Sequence, residues 1–223
     1  MKTNEQLQKE VQDAIKWEPL LHAAEIGVIA KDGVITLTGT VNSYAKKSEA
    51  EAAAKSVAGV KVVVEKIEVQ FDSLKKVDDS TIATNVLTAM EWNWKIPNEK
   101  IKVKVEKGWI TLDGEVNWNF QREAAKEAVK NINGVMGVTS NITLKPESHD
   151  LIEKREVERA LARNWAINSE DIEVSVKGTK VTLTGTVGSW YEKEQAERIA
   201  WNTKGVWNVD NELVVDYDYS LMD

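Results

Sequence analysis

Apolar positions recur along this chain in two alternating rhythms. Leu7, Val11 and Ile15 are spaced by four, which predicts a helix with one buried stripe; the same pattern returns at Ile82, Val86 and Met90 and at Val157 and Leu161. Period-2 stretches follow each helix: Ile26-Gly27-Val28-Ile29-Ala30, Ile101-Lys102-Val103-Lys104-Val105 and Ile172-Glu173-Val174-Ser175-Val176, which read as strands with one buried face. Glycine turns at Lys31-Asp32-Gly33, Glu106-Lys107-Gly108 and Val176-Lys177-Gly178 are expected to close hairpins. The returning strands set Ile35 and Leu37, Ile110 and Leu112, or Val181 and Leu183 on one side, with Thr36, Thr111 and Thr182 on the other. An alanine-rich helix comes next, with Ala50, Ala125 and Ala196 in one register. A last strand is predicted at Val62-Val63-Val64, Val135 to Leu144 and Val206 to Val215.

The threefold pattern carries its own signature. Leu37-Thr38-Gly39-Thr40-Val41, Leu112-Asp113-Gly114-Glu115-Val116 and Leu183-Thr184-Gly185-Thr186-Val187 are each followed, at one fixed interval, by Gly59-Val60, Gly134-Val135 and Gly205-Val206. Fixed internal spacing predicts an array of repeats, divided at residues 1–75, 76–147 and 148–223. Each unit reads α-β-β-α-β. The expected fold is α+β: three tandem two-layer sandwiches, each a three-stranded mixed sheet with both helices on one face. Turn and cap duties are expected for Gly39, Gly114 and Gly185. Gly59, Gly134 and Gly205 should end the second helices as left-handed C-caps. Thr3 with Gln6 fits a capping box, and Asp79 and Asp150 are expected to cap their helices.

These residues resemble the BON domain, a small α/β module of bacterial osmotically inducible and envelope proteins, whose pattern is Val-x-Leu-x-Gly-x-Val, an alanine-rich helix, then Gly-Val-x-x-Val-x-Asn-x-Leu. The third unit matches with Val181, Leu183, Gly185, Val187, Gly205, Val206, Val209, Asn211 and Leu213, and the second with Gly134, Val135, Val138, Asn141 and Ile142; the first has Lys66 where the others carry asparagine. The resemblance implies a binding module rather than an enzyme, associated with osmotic stress and with phospholipid surfaces or envelope partners. Members of the family usually carry a signal peptide or lipid anchor.

Composition narrows the chemistry. At 42% hydrophobic and 29% charged, the 223 residues have the balance of a folded domain and not of a disordered chain. With no cysteine and two histidines, His22 and His149, neither thiol chemistry nor a zinc site is expected, and no metal or cofactor is implied. The opening Met1 to Gln6 is polar and leads straight into a helix, so the expectation is a cytoplasmic protein, or a periplasmic one if an export signal has been removed. Net charge is −1 over residues 1–75 (10 basic, 11 acidic), 0 over 76–147 (10 and 10) and −6 over 148–223 (9 and 15). Without a basic surplus, nucleic acid is not an expected partner.

Ser148, His149 and Asp150 are adjacent, but triads assemble in space and a helix start accounts for the three. Glu49, Glu51, Glu192, Glu194 and Glu197 read as solvated helix faces, and no phosphate-loop motif occurs. No catalytic residue is expected. Lys100, Lys102 and Lys104 alternate with apolar residues along one strand; they read as an anion-binding stripe, as protection against edge pairing, or, opposite Asp171 and Glu173 of the third unit, as a basis for self-association. Nine tryptophans are the compositional anomaly. Trp17 and Trp92 are equivalent, as are Trp94 and Trp165, and shared positions are expected to be architectural. Trp109, Trp118, Trp201 and Trp207 stand where the sister units hold other residues. They are the candidate contacts to a phospholipid membrane surface or a protein partner, or else between units. The reading is a non-enzymatic binding protein of the stress response; the alternatives are a holdase-like chaperone or scaffold, and a carrier of a small ligand or ion.

Overall fold

The computed structural model describes residues 2–21, 25–71, 77–145, 154–165 and 167–216. Ser148, His149, Asp150 and His22 lie outside these residues. The elements run α1 (Asn4–Trp17), β1 (Ile26–Lys31), β2 (Val34–Val41), α2 (Tyr44–Lys55), β3 (Val62–Val69), α3 (Asp79–Glu91), β4 (Ile101–Glu106), β5 (Trp109–Val116), α4 (Asn119–Lys130), β6 (Gly137–Leu144), α5 (Lys154–Ala162), β7 (Ile172–Lys177), β8 (Lys180–Val187), α6 (Trp190–Trp201), β9 (Asn208–Asn211) and β10 (Val214–Val215). Three sheets result, β1-β2-β3, β4-β5-β6 and β7-β8 with both β9 and β10 on β8. The αββαβ reading holds, and the first pair in each sheet is antiparallel while β6, β9 and β10 run parallel to their neighbours.

The helix stripes are buried as their spacing predicts: Leu7, Val11 and Ile15; Ile82, Val86 and Met90; Val157 and Leu161. They meet the inner strand faces, Ile110 and Leu112 in the second core and Val181 and Leu183 in the third. Thr3 and Gln6 form the expected reciprocal box, at 3.2 and 2.9 Å. At α3 the cap is Asp78, one residue earlier than expected. Its carboxylate accepts from the Ser80 hydroxyl and from the Thr81 N–H at 2.9 Å, which holds the carboxyl far below the usual carboxylate range. Asp79 instead ties down the hairpin, accepting from the N–H groups of Lys107 and Gly108 at 2.7 and 2.8 Å; Asn4 does the same for Asp32 at 2.8 Å.

Asp32-Gly33 and Lys107-Gly108 both have positive φ at the two turn positions (51° and 83°, 52° and 78°), as a type I′ hairpin demands. In the third unit the ladder closes at Lys177 opposite Lys180, so Gly178 and Thr179 form the turn. The glycine has moved to the first position (φ 61°) and the expected turn shifts by one residue.

The signature glycines correct a second expectation. Gly39, Gly114 and Gly185 are strand residues facing Ile26, Ile101 and Ile172. A Cβ there would stand 1.9, 2.1 and 2.0 Å from the carbonyl oxygens of Glu25, Lys100 and Asp171, so close backbone approach, not turning, excludes every other residue. Nor do Gly59, Gly134 and Gly205 cap helices: α2, α4 and α6 end a turn earlier, with Asn131 and Asn202 as the caps of α4 and α6. Ala50, Ala125 and Ala196 are fully buried, since only a methyl fits where these helices ride on the sheet.

The third unit's last strand is interrupted. Asn211 accepts from the Leu213 N–H at 3.3 Å and donates to Lys193 O and Glu197 Oε2 at 3.0 and 3.1 Å, drawing the backbone off the ladder while Leu213 is buried. Asn211 faces Leu183, whereas Ser140 faces Leu112; Asn141 therefore falls one place later and donates to Asp113 at 2.9 Å. In the first unit the position equivalent to Asn211 is Glu65, whose carboxylate accepts from the Ile67 N–H in the same way. The first unit therefore departs from the pattern at Glu65, which keeps the acceptor in place of the amide, and Lys66 lies one place beyond it.

The described residues within 1–39, 49–67 and 148–223 form one compact unit, and those within 40–48 and 68–147 another. Within the first, Lys55 of α2 pairs with Glu194 of α6 at 2.9 Å and with Glu51 at 3.0 Å, and lies 5.7 Å from the Trp190 ring centre. Burial works against its charge, but the two carboxylates outweigh it and raise the Lys55 pKa.

Candidate binding surface

After each first helix the chain makes the same short turn. Leu21 N–H donates to Glu18 O at 3.0 Å, Ile96 to Asn93 O at 2.9 Å and Ile167 to Asn164 O at 3.2 Å. Leu21, Ile96 and Ile167 are buried and pin each turn to its core. What the helix ends and pinned turns present outward is tryptophan: Trp17, the last residue of α1, Trp92 and Trp94 are each 85% exposed and Trp165 is 97% exposed. An indole left in water forgoes on the order of 3–4 kcal/mol of transfer free energy, which the scaffold does not recover. Lys95 Nζ lies 5.7 Å from the Trp94 ring centre, and in the sequence Lys16 precedes Trp17 and Arg163 stands two residues before Trp165. The shared tryptophans expected to be architectural are the most exposed aromatic residues described. The missed signal was Pro19 and Asn93 beside Trp17, Trp92 and Trp94, residues that mark where a helix ends and a turn begins.

The expected candidates are dispersed. Trp109 is 52% exposed on β5, its ring lying over Gly137, where a Cβ would come within 2.3 Å of it; it covers a strand position that has no side chain of its own. Trp118 is 44% exposed and occupies the N-cap of α4. Its counterparts cap their helices: Ser43 and Ser189 accept from Lys46 and Glu192 N–H at 3.3 and 3.1 Å. An indole accepts nothing, and here the Gln121 side chain serves the helix start, accepting from Asn117 and Trp118 N–H at 3.1 and 3.0 Å. Trp201 is half-buried against the third core, its Nε1 donating to Glu197 at 3.3 Å. Trp207 is half-buried too, and its backbone N–H donates to Thr179 O at 2.9 Å.

Lys102 and Lys104 point to the wet face of β4 among acids. Lys102 lies opposite Asp113, and Lys104 pairs with Glu106 at 2.9 Å, which raises its pKa with help from Asp113. Lys100 closes a 3-10 turn just before β4 and reaches Asn117 at 3.4 Å. The face is of mixed sign. Lys180 likewise pairs with Asp210 at 2.9 Å in the third unit. Among the described residues no group of His, Asp and Glu is placed to hold a metal ion, and no helix is long and apolar enough to cross a membrane.

Comparison with known proteins agrees with the repeat. The BON domain model matches residues 3–70, 78–146 and 150–217. The chain is 29% identical over 144 residues to osmotically-inducible protein Y of Escherichia coli (strain K12), an alignment covering 61% of this chain and 72% of that protein. Two structures of CdsD, a structural protein of the type III secretion system of Chlamydia trachomatis, align over 96% and 97% of this chain and 94% and 100% of theirs, at 14% and 16% identity. Their TM-scores, 0.25 and 0.26, are too low to bear on this fold. Three matched segments spanning nearly all the sequence, each laid over one αββαβ repeat, make this chain a member of the BON domain family.

Proposed function

We propose that this chain is a non-enzymatic binding protein of the osmotic-stress response that associates with phospholipid membrane surfaces through its tryptophan-bearing turns. One observation supports the reading: four indoles, 85% to 97% exposed, are held out where the first helix of each repeat ends and a turn pinned to the core begins. An indole with a cation beside it suits the headgroup region, where the ring enters the apolar boundary and the charge stays with phosphate. The net charge of −7 does not oppose this at close range. Salt screens distant charges beyond about 8 Å, while Lys95 and its ring approach the surface together. The osmotic-stress part follows the name of the Escherichia coli relative, and the non-enzymatic part follows the family.

Flotation of the full chain with phosphatidylglycerol and with phosphatidylcholine vesicles tests it. Flotation with the anionic vesicles and a blue shift of tryptophan emission are expected, both lost when Trp17, Trp92, Trp94 and Trp165 are changed to Ala. Failure to float on either vesicle would sink the membrane reading and leave a protein partner as the occupant of these turns.

A further inference from the structure

A groove of about 470 Å³ runs between α5 and the end of α6 in the third repeat, lined in part by Glu156, Arg159, Arg163, Asn202, Thr203 and Lys204. Val157 and Leu161 turn the other face of α5 into the core, and Arg159 on the helix and Arg163 just past its end both line the groove, four residues apart. Like charges at this spacing cost a helix a few tenths of a kcal/mol. Three of the nine basic residues of a segment with net charge −6 line this one place.

The sister repeats show that the fold does not require them. Where the third has Arg159, Arg163 and Lys204, the second has Thr88, Trp92 and Asn133 and the first Asp13, Trp17 and Ala58. Cations at a helix C-terminus answer its dipole, yet α3 closes with no basic residue in its last turn. Thr203 replaces Ile132, which packs on the second core, and Val57; its hydroxyl bonds inward to Ile199 O at 3.2 Å, and the shorter side chain leaves room. In the first repeat the equivalent space is bridged from within, where Lys2 pairs with Glu10, the counterpart of Glu156, and donates to Ala58 O at 2.8 Å. Among the described residues neither Arg159 nor Arg163 enters an ion pair.

We propose that this groove binds a hydroxyl-bearing phosphate ester, Arg159 and Arg163 holding the phosphate and Glu156 accepting from the ester's hydroxyl. Two planar guanidinium forks match phosphate oxygens in bidentate fashion, which lysine or threonine at the same positions would not. The phosphate can belong to a soluble ester or to a lipid headgroup. The site does not depend on the membrane reading, because a soluble ester binds without a membrane.

The test is a titration of the full chain with glycerol 3-phosphate at fixed ionic strength, followed by amide and arginine side-chain NMR shifts, with chloride as the comparison. Saturable shifts are expected at Arg159, Arg163, Asn202 and Thr203. The double variant R159Q/R163Q should bind at least about tenfold more weakly, the scale of one lost charge-assisted hydrogen bond. T203I, which restores the larger apolar side chain that Ile132 supplies in the second repeat, should weaken binding with every charge in place. Phosphatidylglycerol vesicles then separate the sources: weaker flotation of R159Q/R163Q assigns the groove to a headgroup, and unchanged flotation assigns it to a soluble ester. Shifts no greater than with chloride, shifts that survive both variants, or saturation by polyglutamate but not by the ester would overturn the proposal. Vesicle binding that persists without ester shifts would overturn this site alone and leave the membrane reading standing.

Discussion

Trp201 and Trp165 belong to the same repeat and differ in almost everything else. Trp201 ends α6, rests half-buried on the third core and anchors its Nε1 to Glu197. Trp165 sits on the turn after α5, 97% exposed. By comparison across repeats the first is the oddity, replacing Lys55 and Lys130, while the second has a counterpart in Trp94. The odd residue is part of the scaffold and the shared one faces water. Recurrence across repeats therefore reports a common position, and a common position can be a binding turn as readily as a core.

The contrast can be broken most forcefully at Trp201. Trp201→Ala removes a half-buried ring from the core and should cost about 2 kcal/mol in urea unfolding; an unchanged midpoint would return Trp201 to the contact residues. Next in size is Trp118→Ser, which restores the hydroxyl cap that Ser43 and Ser189 supply and should stabilise the protein by about 1 kcal/mol. A gain in stability with a loss of vesicle or partner binding would identify Trp118 as kept for contact at the expense of its helix. Trp165→Ala and Trp94→Ala should each change stability by under about 0.5 kcal/mol, since neither ring contributes buried area; a loss as large as that of Trp201→Ala would mean these rings are covered in the folded protein.

The smallest effect lies at Lys55. Glu194→Gln should lower stability by about 0.5 kcal/mol at low salt, and by less as salt screens the pair. The Lys55 pKa is raised on folding, so its contribution is complete below its ordinary value of 10.5 and fades only as pH rises beyond it. Thermal melts between pH 7 and 10 should therefore show no loss assignable to this pair, and a loss that begins near pH 8 would contradict the raised value.

Much of the fold was legible because its signals are local. Leu7, Val11 and Ile15 repeat at helical spacing, Ile110 and Leu112 at strand spacing, and both are buried accordingly. The errors arose where one residue of register decides the outcome: Gly178 in place of Lys107, Asn211 aligned with Asn141 instead of Ser140, Asp78 capping α3 in place of Asp79. A turn or a cap is chosen by which backbone groups lack partners, and a string of letters does not show that. The candidate surface was the least legible part, because the exposure of Trp17 or Trp165 follows from the anchoring of Leu21 or Ile167.

By itself the sequence determined the number of repeats, the αββαβ order of each and the residues of each core, since periodicity and glycine placement are written along the chain. Tertiary structure alone decided why Gly39, Gly114 and Gly185 must be glycine, because the carbonyls of Glu25, Lys100 and Asp171 come within about 2 Å of the absent Cβ. It also decided which tryptophans meet water. Burial is a property of three-dimensional neighbours, and those are settled only when helix, turn and sheet have closed on one another.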